Sequence, residues 1–300
     1  MEKAAGRSRT PLGESTDLVL RFLAGRRHGD GGFVGRDGAS DLYYTMFALA
    51  AQAALGGLEQ RGEAAYLRDW GEGDGLDLVH LAALLRGRAC VGLDDWDEAA
   101  RGRVAAKLAG FRRGDGGYAV SEAEREGTAY GCFLAVGAHQ DLGEALPSAP
   151  GVVACLAGLA TPGGGYVNEG QAVSGGNQLR QGATTTATAA AVTVLCALGE
   201  NTERTTGEWL MERYDETGGF YASAATPVPD LLSTATGLHA LAAMGRDVGA
   251  IRERCLDFVD TLWSGTGGFH GHWADNVLDC EYTFYGLLAL GHLAGRSVAQ

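Results

Sequence analysis

The sequence predicts an all-α fold, a double-layered (α/α)6 barrel in which six helical hairpins close into a ring. Three observations carry that prediction. Two glycines followed by an aromatic recur along the 300 residues. Each copy is followed by a run of helical length that is apolar nearly all round. The segments between these runs are helical and amphipathic. A repeat of about 20–50 residues marks a unit that buries its apolar face only against neighbouring copies.

The glycine steps are Gly31-Gly32-Phe33, Gly116-Gly117-Tyr118, Gly164-Gly165-Tyr166, Gly218-Gly219-Phe220 and Gly267-Gly268-Phe269. Tyr118, Tyr166, Phe220 and Phe269 follow one another at 48, 54 and 49 residues, whereas Phe33 and Tyr118 lie 85 apart. That longer gap holds a degenerate copy, Gly71 to Gly75 followed by Leu76 to Leu85, which brings the count to six. Glycine reaches φ > 0 without strain and admits a close backbone approach, so each pair should end an outer helix and reverse the chain. The aromatic should pack under that turn.

The runs Asp41–Gly56, Asp230–Gly245 and Asp279–Gly295 have the length of a helix and end in glycine. Thr188 to Leu198 is apolar on nearly every face, the mark of a helix buried on all sides. By contrast Val248, Ile251, Cys255, Val259 and Leu262 recur at the helical period, with Arg252, Glu253 and Asp260 opposite. Val104, Leu108 and Phe111 do the same. One amphipathic outer helix and one buried inner helix per unit give twelve helices, with the inner N-termini at one rim. Residues 1–13 are polar and basic and are expected to be a flexible tail. Residues 14–300 are expected to form one toroid domain.

The formal charge of -13 leaves no basic stripe to neutralise phosphates, which argues against nucleic acid and against an anionic membrane surface. Six cysteines without a CxxC pair, and no apolar export signal after Met1, point to a reducing, cytoplasmic setting. No stretch has the roughly 18 uncharged apolar residues of a membrane span. G-x-S-x-G, Walker A, G-x-G-x-x-G and H-E-x-x-H are all absent.

Residues 30–49 read D-G-G-F-V-G-R-D-G-A-S-D-L-Y-Y-T-M-F-A-L, and residues 267–290 read G-G-F-H-G-H-W-A-D-N-V-L-D-C-E-Y-T-F-Y-G-L-L-A-L. Over roughly residues 14–296 the chain resembles the protein prenyltransferase β-subunits, whose repeat is G-G-F-x-G-x…D-x-x-Y-[ST]-F/Y-x-A/G-L. The related squalene/terpene cyclases carry a Gln…Gly-x-Trp variant that is not clean here. The resemblance implies a toroid with a cavity for an isoprenoid-like molecule, and leaves room for a helical partner subunit. In the prenyltransferases an Asp and a Cys of the penultimate repeat and a His of the last hold zinc. Asp230 matches the Asp, but Leu232 and Tyr282 stand at the Cys and His positions. Neither a metal nor another cofactor is therefore expected. The D-x-D-D acid motif of class II cyclases is missing. The cluster Asp94-Asp95-Trp96-Asp97-Glu98 fits D-D-x-x-E formally, but reads as acids opening an outer helix.

Candidate site residues follow from the D-x-x-aromatic step at the inner-helix starts. Asp41/Tyr44, Asp77/His80 and Asp279/Tyr282 share it, and Asp230/Ser233 is a polar relative. Asp41, Asp77, Asp230 and Asp279 would ring one mouth of the cavity, with Glu126 and Glu281 nearby. Each aspartate is either a helix cap or a proton donor. His80 is either a satisfied core histidine or a cavity acid or base. Tyr43, Tyr44, Phe47, Tyr130, Trp273, Tyr282 and Tyr285 would line the cavity, their ring faces suited to a carbocation. Arg180, in the long polar loop Val167 to Arg180, is a candidate anion contact. His270 and His272 could join Asp279 in a relocated metal set, or be solvated loop residues.

The expected function is that of a cavity enzyme: acid-initiated cyclisation or isomerisation of an apolar isoprenoid-like small molecule in specialised metabolism. The alternatives are a non-catalytic, partner-dependent prenyl- or lipid-binding subunit, and a metal-dependent prenyltransferase-like enzyme with a relocated site.

Overall fold

Each inner helix starts at a side chain that caps it. The inner helices are α4 (Leu42–Leu55), α6 (Leu78–Cys90), α8 (Ala129–Leu142), α10 (Thr185–Ala197), α12 (Leu231–Ala243) and α14 (Cys280–Leu293). Their caps are Asp41, Asp77, Thr128, Thr184, Asp230 and Asp279, and each side-chain oxygen accepts the backbone N–H three residues on. These bonds satisfy donors that a helix start leaves unpaired. A computed structural model of the chain describes residues 1–58, 60–121, 123–170 and 182–294.

The outer helices are α3 (Thr16–Ala24), α5 (Gln60–Asp69), α7 (Glu98–Gly110), α9 (Ala149–Leu159), α11 (Arg204–Met211) and α13 (Arg252–Thr261). Five of them pack on the inner helix of their own hairpin and α9 packs on α8, the inner helix before it; the inner helices neighbour one another in the order α4, α6, α8, α10, α12, α14 and back to α4. The fold is thus the six-hairpin α/α barrel that the sequence predicts. Among the described residues the named strands are only β1 (Phe33–Val34) and β2 (Ser40–Asp41), paired antiparallel.

The glycine pairs lie in the turns, a few residues beyond the outer helices rather than at their last residue. The first glycine of each pair has positive φ, from 91° at Gly116 to 104° at Gly218. A Cβ on Gly218 would stand 1.9 Å from the carbonyl oxygen of Arg254 on the next outer helix. Both the backbone conformation and the close approach therefore require glycine. The following aromatics are buried, Phe33 and Phe220 completely. Three of their backbone N–H groups are held by threonines four residues past a cap: Thr45 Oγ1 accepts from Phe33 N, Thr188 Oγ1 from Tyr166 N and Thr234 Oγ1 from Phe220 N, each at 2.9 Å. Buried backbone donors need such partners, so each of these turns is clasped to its inner helix.

The ring closes by packing the last turn onto the first outer helix. A Cβ on Gly267 would meet the backbone oxygen of Leu18 at 2.2 Å, and Gly268 lies against the ring of Phe22. Residues 1–13, expected as a flexible tail, instead form α1 (Glu2–Gly6) and α2 (Arg9–Leu12). Ala4 and Ala5 are buried, and α1 sits between α4 and α14 at the end of the barrel where the inner helices finish. Small residues make that docking: Gly291 leaves room for the Ala4 carbonyl, and Gly6 for that of Ala54. No helix of the described residues is long and apolar enough to cross a membrane. All six cysteines are free thiols.

Candidate functional site

The register of the inner helices decides which side chains face the barrel axis. A cavity of about 210 Å3 runs between them. On α4 it is lined by Tyr43, Met46, Phe47 and Ala50, and on α6 by Val79, Ala82, Ala83 and Arg86. These positions lie two, five, six and nine residues after the cap, one stripe of a helix. The same offsets supply Tyr130, Phe133, Leu134 and Gly137 on α8, Thr193 on α10, His239 on α12, and Phe284 and Tyr285 on α14.

The half of the cavity near the helix starts is aromatic. Tyr43 meets Phe47 edge-on at 4.9 Å between centroids, and Phe47 lies 5.5 Å from Tyr285 and 5.6 Å from Phe284. Tyr130 faces this cluster from α8. Burial pushes the Tyr130 phenol up to about 12, and raises Tyr43 and Tyr285 further. All three rings stay neutral.

The position two residues after each cap forms a ring at the mouth: Tyr43, Val79, Tyr130, Thr186, Leu232 and Glu281. Glu281 is the one carboxyl in it. The Tyr43 hydroxyl donates to Glu281 Oε1 at 2.7 Å, across the junction of the first and last repeats. Burial raises the Glu281 carboxyl above its ordinary value, opposed by that hydrogen bond and reinforced by the charge of Asp279. A carboxyl in such surroundings retains its proton at higher pH than a free glutamate.

The rim aspartates are occupied differently. Asp279 is buried; its Oδ1 accepts from Tyr282 N at 2.8 Å and its Oδ2 from Arg36 Nε at 2.8 Å. Arg36 also bonds Asp275 at 3.0 Å, and its guanidinium lies over the Tyr282 ring. Asp230 accepts from both the N–H and the hydroxyl of Ser233 at 2.7 Å, and burial raises its pKa. Asp77 accepts from His80 N at 2.9 Å and pairs with His80 Nδ1 at 2.7 Å, while His80 Nε2 is 3.7 Å from Asp41. His80 is thus neither a core residue nor a cavity residue; it bridges two caps at the partly exposed rim. All four aspartates are capping residues, and none lines the cavity.

Several expected contacts fall elsewhere. Tyr44 and Tyr282 sit three residues after their caps, which turns them off the axis and onto the glycines of neighbouring loops, Gly35 and Gly271. Trp273 is 49% exposed; its ring packs on Phe258 and its Nε1 donates to Thr261 on α13, outside the barrel. Glu126 is exposed. Arg180 lies outside the described residues. Tyr43, Phe47, Tyr130 and Tyr285 do line the cavity.

The far half of the cavity, near the helix ends, is polar, and the sequence reading missed it. Arg86 Nε pairs with Asp141 Oδ2 at 2.9 Å, with Glu2, Gln140 and Thr193 nearby on the wall. Burial outweighs the Arg86 charge and pushes the Asp141 carboxyl up to about 6. His239 completes this end. Counting nine residues from the caps would have found Arg86 and His239 in the sequence.

At the position corresponding to the prenyltransferase zinc, the side chains are Asp230, Leu232 and Tyr282. Leucine offers no lone pair, so this donor set does not fit zinc. Among the described residues no three His, Cys, Asp or Glu side chains converge in a way that could hold a metal, the pair His270 and His272 included.

Residues 185–297 match the family model of the prenyltransferase alpha-alpha toroid domain. No curated protein sequence matches the chain significantly. Among solved structures, Candida albicans protein geranylgeranyltransferase-I complexed with GGPP superposes with a TM-score of 0.69 at 13% identity, over 93% of this chain and 90% of that one. A variant of the type II terpene cyclase MstE from Scytonema, in complex with geranylgeranyl dihydroxybenzoate, gives 0.63 at 15% identity over 96% and 97%. A protein from Actinoplanes gives 0.56 at 16% identity over 94% and 99%. The likeness is one of fold: this chain has the toroid shared by protein prenyltransferases and type II terpene cyclases.

Proposed function

We propose that this protein is an enzyme that protonates an apolar, isoprenoid-like polyene held in the barrel, and releases it cyclised or isomerised, with Glu281 as the acid. One observation carries the reading. Glu281 is the single carboxyl in the mouth ring, it is half-buried, and it is bonded to Tyr43, which lines the aromatic half of the cavity. Of the rim aspartates, first candidates for this role, Asp230 and Asp279 have both oxygens engaged by backbone, serine or arginine donors, and Asp41 and Asp77 cap their helices at the partly exposed rim.

The chemistry needs a proton, a dry container and a counterpart for positive charge. The Glu281 O–H bond breaks and its proton goes to a terminal carbon of the substrate double bond, whose electron pair forms the new C–H bond. A carbocation and a carboxylate result. Tyr43 stabilises the carboxylate by its hydrogen bond. The faces of Phe47, Phe133, Phe284, Tyr130 and Tyr285 stabilise the cation. The solved type II cyclase of the same fold, with its geranylgeranyl-bearing substrate, supports this substrate class. Zinc-dependent prenyl transfer has less support, because Leu232 and Tyr282 replace two of the three ligands that the resemblance calls for.

The test is incubation of the purified protein with linear polyprenyl alcohols and polyprenyl phenols, followed by mass spectrometry. Products isomeric with the substrate are expected, and a chelator should leave their formation unchanged. Absence of turnover across both series overturns the reading. Loss of a bound metal together with activity in His272→Ala would point instead to a relocated metal site.

A further inference from the structure

The mechanism above uses one end of the cavity. At the other end, two half-buried imidazoles face each other. His239 lines the cavity from α12, and its Nδ1 lies 2.9 Å from Nε2 of His292, in the last turn of α14. The ring centroids are 5.1 Å apart. This hydrogen bond occupies Nδ1 and leaves Nε2 as the nitrogen of His239 available to whatever the cavity holds. His139 on α8 shows the contrast: it is fully buried and both its nitrogens are sealed without partners, so it has no route to a ligand. His292 is only partly buried, at the end of the barrel where the inner helices finish.

We propose that His239 is the general base that ends the reaction, and that His292 is the positioning residue that holds it and conducts the proton outward. The proposal rests on the carbocation reading of the previous section. It requires the tautomer in which His239 Nδ1–H donates to His292 Nε2, so that His239 Nε2 carries a lone pair. A C–H bond next to the cationic carbon breaks, and its electron pair forms the C=C bond that quenches the cation. The proton goes to Nε2 of His239. The Nδ1 proton shifts to Nε2 of His292, and His292 releases its Nδ1 proton to solvent; proton exchange of both rings with water once the product has left restores the starting tautomers. With Glu281 reprotonated from water, the cycle is neutral and the product is an isomer of the substrate.

The surroundings suit a neutral base. Burial pushes His239 down to about 4 and His292 to about 3, assisted by Arg7, by the amino group at Met1 and, for His292, by His239. An imidazole of such low basicity would be a poor base towards an ordinary C–H. A proton adjacent to a carbocation is acidic enough that a positioned neutral lone pair suffices. The placement also separates the roles, with acid at the mouth and base nine residues down the stripe on a neighbouring helix, so the nascent cation does not simply return its proton to Glu281.

Two measurements test this. Nitrogen-15 NMR of the histidine-labelled protein at neutral pH, assigned with His292→Gln, should show Nε2 of His239 unprotonated and Nδ1 protonated. A protonated Nε2 overturns the proposal whether or not any substrate is turned over. Product analysis of His239→Ala and His239→Gln should show consumption of substrate continuing. The ratio of the wild-type alkene to water-captured or rearranged products should fall by about 10²-fold, the low end for removal of a positioned base. His292→Leu should shift the ratio in the same direction, and His292→Gln, which still accepts from Nδ1, less. An unchanged ratio in His239→Ala overturns the proposal. Failure of the carbocation reading shows separately, as no consumption by the wild type or full consumption by a Glu281 variant.

Discussion

Asp279 and Glu281 stand two residues apart at the start of α14, and both are acidic. Asp279 is the cap: one oxygen satisfies the helix, the other holds Arg36, and the carboxylate is built into the scaffold. Glu281 is turned by two residues, about 200° of helical rotation, to where its carboxyl meets the hydroxyl of Tyr43. A capping carboxylate spends an oxygen on its helix; Glu281 caps nothing, has an oxygen to spare and lies in surroundings that favour its neutral form. The four aspartates that the repeat places at the rim belong to the first kind.

Breaking each kind should give opposite signatures. The largest effect is expected for Glu281→Gln, which keeps the shape and the Tyr43 hydrogen bond but delivers no proton: turnover should fall by about 10²-fold or more with Tm little changed. In the wild type, turnover should fall as pH rises through the raised pKa of Glu281, since the acid must be protonated to act. Asp141 tests whether facing the cavity is what matters. Its folded-state pKa of about 6 lies above the ordinary 3.8. The associated stability is therefore fully present below about pH 4 and is lost as pH rises through about 6. Chemical denaturation across that window should show a decline on the order of 2 kcal/mol that Asp141→Asn flattens.

Next comes Asp279→Ala, which removes a cap and leaves Arg36 without its buried partner. It should cost about 2 kcal/mol in denaturant melts, and Asp279→Asn about half as much, because asparagine still caps. The smallest effect is expected for Asp77→Asn, where the side chain is half exposed and asparagine caps as well: within about 0.5 kcal/mol, and no change in turnover. A large loss of turnover in Asp77→Asn with intact folding would erase the distinction between the two kinds of carboxyl.

The architecture was legible because its signals are local and repeated. The glycine pairs need positive φ, the inner runs are apolar on all faces, and the caps recur with them. The site was legible only in part. Tyr43, Phe47, Tyr130 and Tyr285 announce themselves as aromatics at helix starts, but so do Tyr44 and Tyr282, one position out of phase. Which of two adjacent tyrosines faces the axis depends on how the helix is rotated in the ring. Arg86 and His239 were missed because each sits within an apolar run, and Asp141 because it stands at the end of its helix, all far from the D-x-x-Y step that drew attention to the rim. Trp273 misled because a large aromatic next to the motif suggests a lining, whereas its indole N–H found Thr261 on the outer layer.

The links that define the mouth join opposite ends of the chain. Tyr43 and Glu281 are 238 residues apart, and Arg36 and Asp279 are 243 apart. Contacts between consecutive hairpins are short in sequence and can form as the chain is made. These contacts require the two ends of nearly the whole polypeptide to meet, so they carry the greatest closure entropy and should form late. An incomplete ring could have native helices, native caps and a native signal by circular dichroism, yet no assembled acid. During refolding, helicity should therefore return before activity. The hydroxyl–carboxyl bond between Tyr43 and Glu281 would then be both the clasp of the ring and the step that arms it.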